Sequence, residues 1–396
     1  MKIAIITTGI FPVPAVKGGA VESLVDSLLD YNEHHKLHDI TVFSVADPLV
    51  EHHPALQSDV NHYVFIDTTS MMAKFKKRLF KYLHPNTYYH YFIEYLPHEA
   101  LRTIRRADFD CIVIENRPGF ALQLRQSTRV PLVYHLHNDY LNDSTPRAEL
   151  LYEAASRIIT VSDYIGSRVR TCCADDQKTV TVHNGVDLSP FMSAASKNPA
   201  VTRESLGFAA DDFVVVFCGR LIPEKGILEL VEAMRLLADH PRIKLLVMGV
   251  SDSGDDVAPF VRELSAQMAQ LGGRARMTGY VSHELIADYL HLCNVGVIPS
   301  MWDEPFGLSV IEAMAAGLPI IATSRGGIPE VVSDRNAILI DNPDRAFVPR
   351  LADAIRLLAA DPALCAQMSA TSLSMVQHFS KETYAEHFFA ALEDIK

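Results

Sequence analysis

The segment Pro299-Ser300-Met301-Trp302-Asp303-Glu304-Pro305-Phe306-Gly307-Leu308-Ser309-Val310-Ile311-Glu312-Ala313-Met314-Ala315-Ala316-Gly317-Leu318-Pro319 decides the fold. The apolar run Val295–Ile298 enters it as a strand that ends at Pro299. Pro305 and Gly307 shape a loop, and a helix is predicted from Leu308 to about Ala316. Gly317 stops that helix and Pro319 opens the next strand. Strand, loop, helix and strand in that order make one βα unit of a parallel sheet. The same unit recurs on both sides, with strands predicted at Phe213–Gly219, Lys244–Gly249, Ala275–Thr278, Pro319–Ala322 and Ala337–Ile340. Their continuous apolar character suits parallel strands buried on both faces. Helical segments are expected from about Asp344 to the end.

The first half alternates in the same way. Strands are predicted at Lys2–Thr8, Ile40–Val45, Tyr63–Ile66, Cys111–Ile114, Leu132–His135, Ile158–Val161 and Thr179–Val182, with helices such as Ala20–Tyr31, Tyr89–Arg106 and Arg147–Ala155 between them. His183-Asn184-Gly185-Val186-Asp187 breaks the alternation, and a helix-poor stretch follows to about Asn198. The fold class is therefore α/β, with two Rossmann-like, doubly wound parallel-sheet domains. Each sheet is expected to present its strand C-termini to a central cleft, where ligands of open α/β sheets bind.

Composition excludes several classes. The chain has 396 residues, enough for two or three domains at about 150 residues each. Lys and Arg number 36 against 48 Asp and Glu, so a net charge of −12 argues against a general nucleic-acid binder. Six cysteines without a CxxC do not make a disulfide scaffold, and vicinal Cys172-Cys173 reads as a redox pair or as small apolar residues at a helix end. The N-terminal apolar run is too short for a signal sequence, and no stretch approaches the roughly 18 apolar residues of a membrane span. A reduced, cytoplasmic protein is expected, either soluble or lying on a membrane surface. One segment runs against the overall acidity: Lys74–Lys81 carries five positive charges in eight residues, while Met72, Phe75, Leu79 and Tyr82 share one helical face. A basic amphipathic helix can lie on an anionic bilayer, or it can pack that stripe on its own domain.

The chemistry concentrates in loops that follow strands. Glu304 lies in the loop before the Leu308 helix and Glu312 one turn inside it, a pair of carboxylates able to accept hydrogen bonds from hydroxyls. The start of that helix offers backbone N–H groups to an anion. After the strand ending at Gly219, Arg220 and Lys225 bring two cations to one βα loop, a combination suited to a diphosphate. Gly18 and Gly19 precede the first helix and allow close approach of a ligand, but they do not form the GxGxxG of a nicotinamide site. His135 and His137, two apart at a strand end, point to one side; they can contact substrate, pack in the core, or bind a metal with Asp139 as a loose third ligand. Asp108-Phe109-Asp110 has the form of a metal-holding DxD, but it sits at the N-terminal edge of a strand and is expected to be structural.

Taken together, these residues resemble the retaining glycosyltransferases of family 4, which have the GT-B fold of two facing Rossmann-like domains. The likeness spans nearly the whole chain: Gly18-Gly19, His137, Asn184-Gly185-Val186-Asp187, Gly219-Arg220 with Glu224-Lys225-Gly226, and Glu304 with Glu312 in an E-x7-E arrangement. The resemblance implies an acceptor-binding domain at 1–188, a nucleotide-sugar-binding domain at 189–378 and a last helix, 379–396, returning to the first domain. It implies that Arg220 and Lys225 bind the donor diphosphate, and that Glu312 holds the ribose hydroxyls. It implies that Glu304 and the backbone of Phe306, Gly307, Leu308 and Ser309 hold the donor sugar. By the same resemblance Gly18 or Gly19 touches the phosphate or acceptor, His137 lies near the transferred sugar, and segments near Gly249 and Gly279-Tyr280-Val281 line the base.

A hexosyltransferase that keeps the anomeric configuration is expected, with no metal and no cofactor, the nucleotide-diphosphate sugar being a substrate. UDP-hexose or UDP-N-acetylhexosamine is the expected donor and a GDP-sugar the alternative, on family frequency. The expected acceptor is a surface-polysaccharide, lipopolysaccharide or lipid-linked glycan, the basic helix favouring a lipid; a small soluble acceptor is the alternative. A nucleotide-sugar epimerase of the same fold is a competing reading and would need acid–base groups in both domains, for which Glu115 and Asp139 are candidates. A hydrolase using Glu304 and Glu312 is disfavoured by the paired cations, which a glycosidase has no diphosphate to occupy. A non-catalytic nucleotide-sugar binder is disfavoured because all four of these residues are present.

Overall fold

The computed structural model describes residues 1–83, 91–192, 201–250, 258–341 and 344–395. The chain divides into two compact units, one made of Met1–Gly185 with Lys381–Lys396 and the other of Val186–Ser380. Val186 pairs in parallel with Ser380, and its amide donates to the carbonyl of Phe379 at 3.0 Å. That pairing ties the segment after Gly185 to the second unit, so the divisions fall after Gly185 and Ser380 rather than after Leu188 and His378. Positions 89 and 90 of the predicted third helix and 193–200 of the helix-poor stretch lie outside the described residues.

The first unit holds a seven-stranded sheet in the order β3-β2-β1-β4-β5-β6-β7, all parallel. Its strands are β1 Lys2–Ile6, β2 Asp39–Val45, β3 Asn61–Ile66, β4 Cys111–Glu115, β5 Leu132–Leu136, β6 Arg157–Thr160 and β7 Thr179–Thr181. The helix Ala20–His35 buries Leu24, Val25, Leu28 and Leu29, one face at helical spacing. The helix Lys381–Ala391 completes the same core with Tyr384, Ala385, Phe388 and Phe389. Burying each phenylalanine contributes about 1.5–3 kcal/mol. The partly exposed Lys381–Asp30 ion pair at 3.0 Å adds at most about 1 kcal/mol, so apolar packing holds this helix in place.

The second unit holds a six-stranded parallel sheet in the order β10-β9-β8-β11-β12-β13. Its strands are β8 Phe213–Cys218, β9 Ile243–Met248, β10 Ala275–Gly279, β11 Val295–Ile298, β12 Ile320–Thr323 and β13 Ala337–Ile340. In both sheets the order reverses direction beside the first strand, which leaves loops diverging at the strand C-termini. The loops after β8 and β11 occupy that position in the second unit.

Candidate active site

The loop after β8 and the loop after β11 are fastened to each other. The amide of Met301 donates to the carbonyl of Glu224 at 2.8 Å. Gly226, at φ +70°, lies so close to the end of β11 that a Cβ there would stand 1.9 Å from the Pro299 carbonyl oxygen. Gly326 does the same for Glu304: a Cβ would stand 2.1 Å from its carbonyl oxygen, and the amide of Gly327 donates to that oxygen at 2.7 Å.

This close assembly brings Lys225 and Glu304, 79 positions apart in the chain, into an ion pair. The Lys225 ammonium donates to Glu304 Oε1 at 2.6 Å and lies 5.6 Å from the centre of the Trp302 ring. The Ser300 hydroxyl donates to the same Oε1 at 2.5 Å. Glu304 is only 5% exposed, and both donors hold one of its oxygens. An ammonium carries three N–H groups, so Lys225 can hold Glu304 and still donate to a phosphate. Arg220 is exposed and follows β8 after Gly219.

The helix Leu308–Ala315 begins at Gly307, which has no side chain to cap it, so its first-turn amides have no side-chain acceptor there. The Phe306 ring is buried against Phe379, with centroids 6.0 Å apart, so at this position the backbone rather than the ring can meet a ligand. Leu308 and Ser309 are half-buried. Glu312 is occupied: His283 Nε2 stands 3.1 Å from its Oε1, and that hydrogen bond raises the imidazole's pKa. Val281 lies two residues before His283 in the segment after β10, and is half-buried.

In the first unit Gly18 and Gly19 take φ of +74° and +104°, and Gly19 is the N-cap of the helix Ala20–His35. Glu22, in the first turn, is buried and accepts from the Thr8 hydroxyl at 2.5 Å; burial raises its pKa. His137 is 7% exposed, and its Nε2 lies 2.9 Å from Glu115 Oε2. His135 Nδ1 lies 3.0 Å from the same oxygen. Parallel pairing of β4 with β5 sets Glu115 beside His135, and His137 lies two residues further along, on the same side. Burial raises the Glu115 pKa, but the two imidazoles outweigh it and hold the carboxyl down to about 2. Burial and His135 push His137 down to about 4.

The ligand atoms of Glu115, His135 and His137 all lie within 4.8 Å of one another, the arrangement among the described residues that could hold a metal. The expected third ligand, Asp139, points elsewhere: it pairs with Arg168 at 2.8 Å and accepts from Asn142 at 2.8 Å. Asp110 of the DxD-like segment accepts from the Lys2 amide at 2.6 Å, fastening the N-terminal ends of β1 and β4. Sequence reasoning passed over Ser300, His283 and Glu22. His283 carried a signal, since it follows the Gly279-Tyr280-Val281 segment by two residues.

Residues 200–374 match the family described as Glycosyl transferases group 1, and residues 32–190 match Glycosyltransferase Family 4. YtcC of Bacillus subtilis (strain 168) is 30% identical over 359 residues, covering 86% of this chain and 80% of its own. A sucrose-phosphate synthase from Thermosynechococcus elongatus superposes with a TM-score of 0.76 at 25% identity, covering 98% of both chains. Anabaena HepE, solved in complex with UDP and glucose, superposes with a TM-score of 0.72 at 22% identity, covering 99% of both chains. Two Rossmann-like parallel sheets with this likeness define the GT-B class. The chain belongs to glycosyltransferase family 4 and is a hexosyltransferase.

Proposed function

We propose that the enzyme transfers a hexose or N-acetylhexosamine from UDP to a lipid-linked or surface-polysaccharide glycan, including lipopolysaccharide, with retention of configuration. The ion pair between Lys225 and Glu304 carries this reading. It sets a cation suited to a diphosphate beside a carboxylate suited to sugar hydroxyls, at the mouth of a parallel sheet. The HepE complex with UDP and glucose supports UDP as the base carrier.

Breaking the bond between the anomeric carbon and the phosphate oxygen leaves UDP and builds oxocarbenium character on the sugar. Arg220, Lys225 and the first-turn amides of the helix Leu308–Ala315 stabilise the charge that develops on the departing phosphate. The acceptor hydroxyl attacks from the face the phosphate leaves, and its proton passes to the phosphate oxygen. Glu304 holds sugar hydroxyls, Glu312 the ribose hydroxyls, and His137 contacts the sugar. Gly18 or Gly19 approaches the phosphate or acceptor. The chemistry needs no metal, because the cations and amides supply the positive potential.

The helix Met71–Leu83 supports a lipid-linked acceptor and an anionic membrane surface as partner. Met72, Phe75, Leu79 and Tyr82 are 49–83% exposed, so among the described residues nothing covers the apolar stripe. Lys74 and Arg78 are exposed beside it, while Lys76 is turned to Glu99 at 3.0 Å. No helix among the described residues is long and apolar enough to cross a membrane. The test is thermal stabilisation by a panel of UDP- and GDP-sugars, followed by turnover with lipid extracts in the presence and absence of EDTA. Stabilisation by a UDP-sugar and EDTA-resistant transfer with retained configuration are expected. Stabilisation by GDP-sugars alone, or loss of activity in EDTA restored by a divalent ion, overturns the donor or the metal-independence.

A further inference from the structure

The carboxylate of Glu115, at the end of β4, is buried beside two imidazoles that come from β5 and the residue just past it, and the contacts specify where protons sit. An ionised carboxylate only accepts, so each ring nitrogen hydrogen-bonded to it must carry hydrogen: Nδ1 of His135, 3.2 Å from Oε1, and Nε2 of His137, 2.9 Å from Oε2. A neutral imidazole protonated at Nε2 has a bare Nδ1. In His137 that Nδ1 is buried and has no hydrogen-bond partner among the described residues, and the same holds for Nε2 of His135. The backbone holds the ring in place as well, since the His137 amide donates to Asn116 Oδ1 at 3.1 Å. On the far side the His135 ring packs against Phe388, with centroids 5.0 Å apart, and against Tyr384 at 6.2 Å. The carboxylate therefore cannot turn away from His137 without unseating a second buried ring. Buried polar atoms in native proteins are nearly always paired, and of these two bare acceptors only that of His137 belongs to a ring with any exposure, 7% against 0% for His135, so it is the one a ligand donor can reach.

We propose that Glu115, braced by His135, is a positioning residue that locks His137 in the Nε2–H tautomer, so that Nδ1 accepts a hydrogen bond from a hydroxyl of the transferred sugar. The inference rests on the reading of His137 as a sugar contact, while the tautomer is a property of the free enzyme. Glu115 acts through His137 and does not itself touch the substrate. A neutral acceptor at that position favours a hydroxyl donor and gives no attraction to a second phosphate, so it selects for the sugar end of the donor.

The test is a two-bond proton–nitrogen correlation spectrum of the full chain labelled with 15N-histidine, with the His137 signals assigned by their loss in His137→Gln. At pH 7.5 the wild type should show protonated Nε2 and unprotonated Nδ1 at His137. A Glu115→Gln side chain can offer an N–H as well as an oxygen, so the lock is released. Nδ1–H should then become populated, and kcat should fall roughly tenfold, about the value of one hydrogen bond, with the donor KM moving less. A wild-type His137 protonated on Nδ1 or on both nitrogens overturns the proposal. So does a stoichiometric metal ion on these three side chains, or a Glu115→Gln enzyme with unchanged tautomer and kcat. If Glu115→Gln fails to fold, the wild-type spectrum alone decides. A wild-type enzyme that turns over no nucleotide sugar overturns the transfer reading instead and leaves the tautomer result standing.

Discussion

Glu304 and Glu115 are both carboxylates at the C-terminal ends of parallel strands, and both are held by basic side chains. Glu304 lies in a loop, is gripped at one oxygen, and is partnered by a lysine whose side chain is 20% exposed. Glu115 is the last residue of β4, fully enclosed between two imidazoles. A lysine on a flexible stem can share its N–H groups with an arriving ligand, whereas a carboxylate wedged between rings cannot change partners cheaply. The first arrangement suits a group that exchanges contacts during turnover, and the second a group that stays fixed while something else does.

The largest effects should come from the exchangeable side. Arg220→Ala and Lys225→Ala should each cost roughly 100-fold or more in kcat, because each removes a proposed diphosphate contact that would strengthen as the leaving group gains charge. Loss of Lys225 also leaves the enclosed Glu304 with Ser300, a deficit of about 1–3 kcal/mol that should appear as a lower Tm for Lys225→Ala. Near-normal kcat in either variant breaks the diphosphate assignment.

Next comes the proposed membrane face of the first unit. Changing Lys74, Lys77 and Arg78 to Glu spares Lys76, whose partner is Glu99. At about 1 kcal/mol for each basic residue near an anionic surface, removing three should weaken binding to anionic liposomes by about 100-fold, measured by co-sedimentation at low salt. Activity on a soluble acceptor should survive, and binding should fade as salt rises. Equal binding to zwitterionic vesicles, or none to either, breaks this part of the reading.

Glu304→Gln should lower both donor affinity and kcat by about tenfold or more, and Glu312→Gln donor affinity alone by about tenfold, measured by calorimetry and steady-state kinetics. A change in kcat without a change in donor affinity for Glu312→Gln would separate it from the ribose.

The smallest effect is on acid stability and belongs to the fixed carboxylate. Glu115 is held down to about 2, below its ordinary 4.5, so its contribution is present above pH 4.5 and is lost as pH falls toward 2. His137 is held down to about 4, below 6.5, so the unfolded chain takes up its proton first and stability is lost as pH falls from 6.5 toward 4. Both act in one direction. The Tm should decline between pH 6.5 and 4, and His137→Gln should flatten that interval. An unaltered slope in the variant would assign the acid sensitivity to other groups.

Much of this was legible because the strands are continuous apolar runs and the candidate-site loops follow them directly. Arg220, Lys225, Glu304 and Glu312 could be singled out by their positions in βα loops. The ion pair joining Lys225 to Glu304 could not, because it depends on how closely Gly226 and Gly326 let two loops approach. Glu115 looked unremarkable for a related reason: its partner His135 is twenty residues away, and only the register of β4 on β5 sets them side by side. The periodicity of the helix Met71–Leu83 was readable, but whether its stripe is covered depends on tertiary packing.

The helix Lys381–Ala391 gives synthesis an order that the finished molecule conceals. Residues 1–185 emerge from the ribosome before the second unit, yet their core lacks Tyr384, Phe388 and Phe389 until the helix Lys381–Ala391 is made. The second unit, continuous from Val186 to Ser380, has its whole chain available earlier. The unit begun first is thus completed after the unit begun second, and while Val186–Ser380 is being made it holds an open apolar seat that a premature stop codon would leave bare.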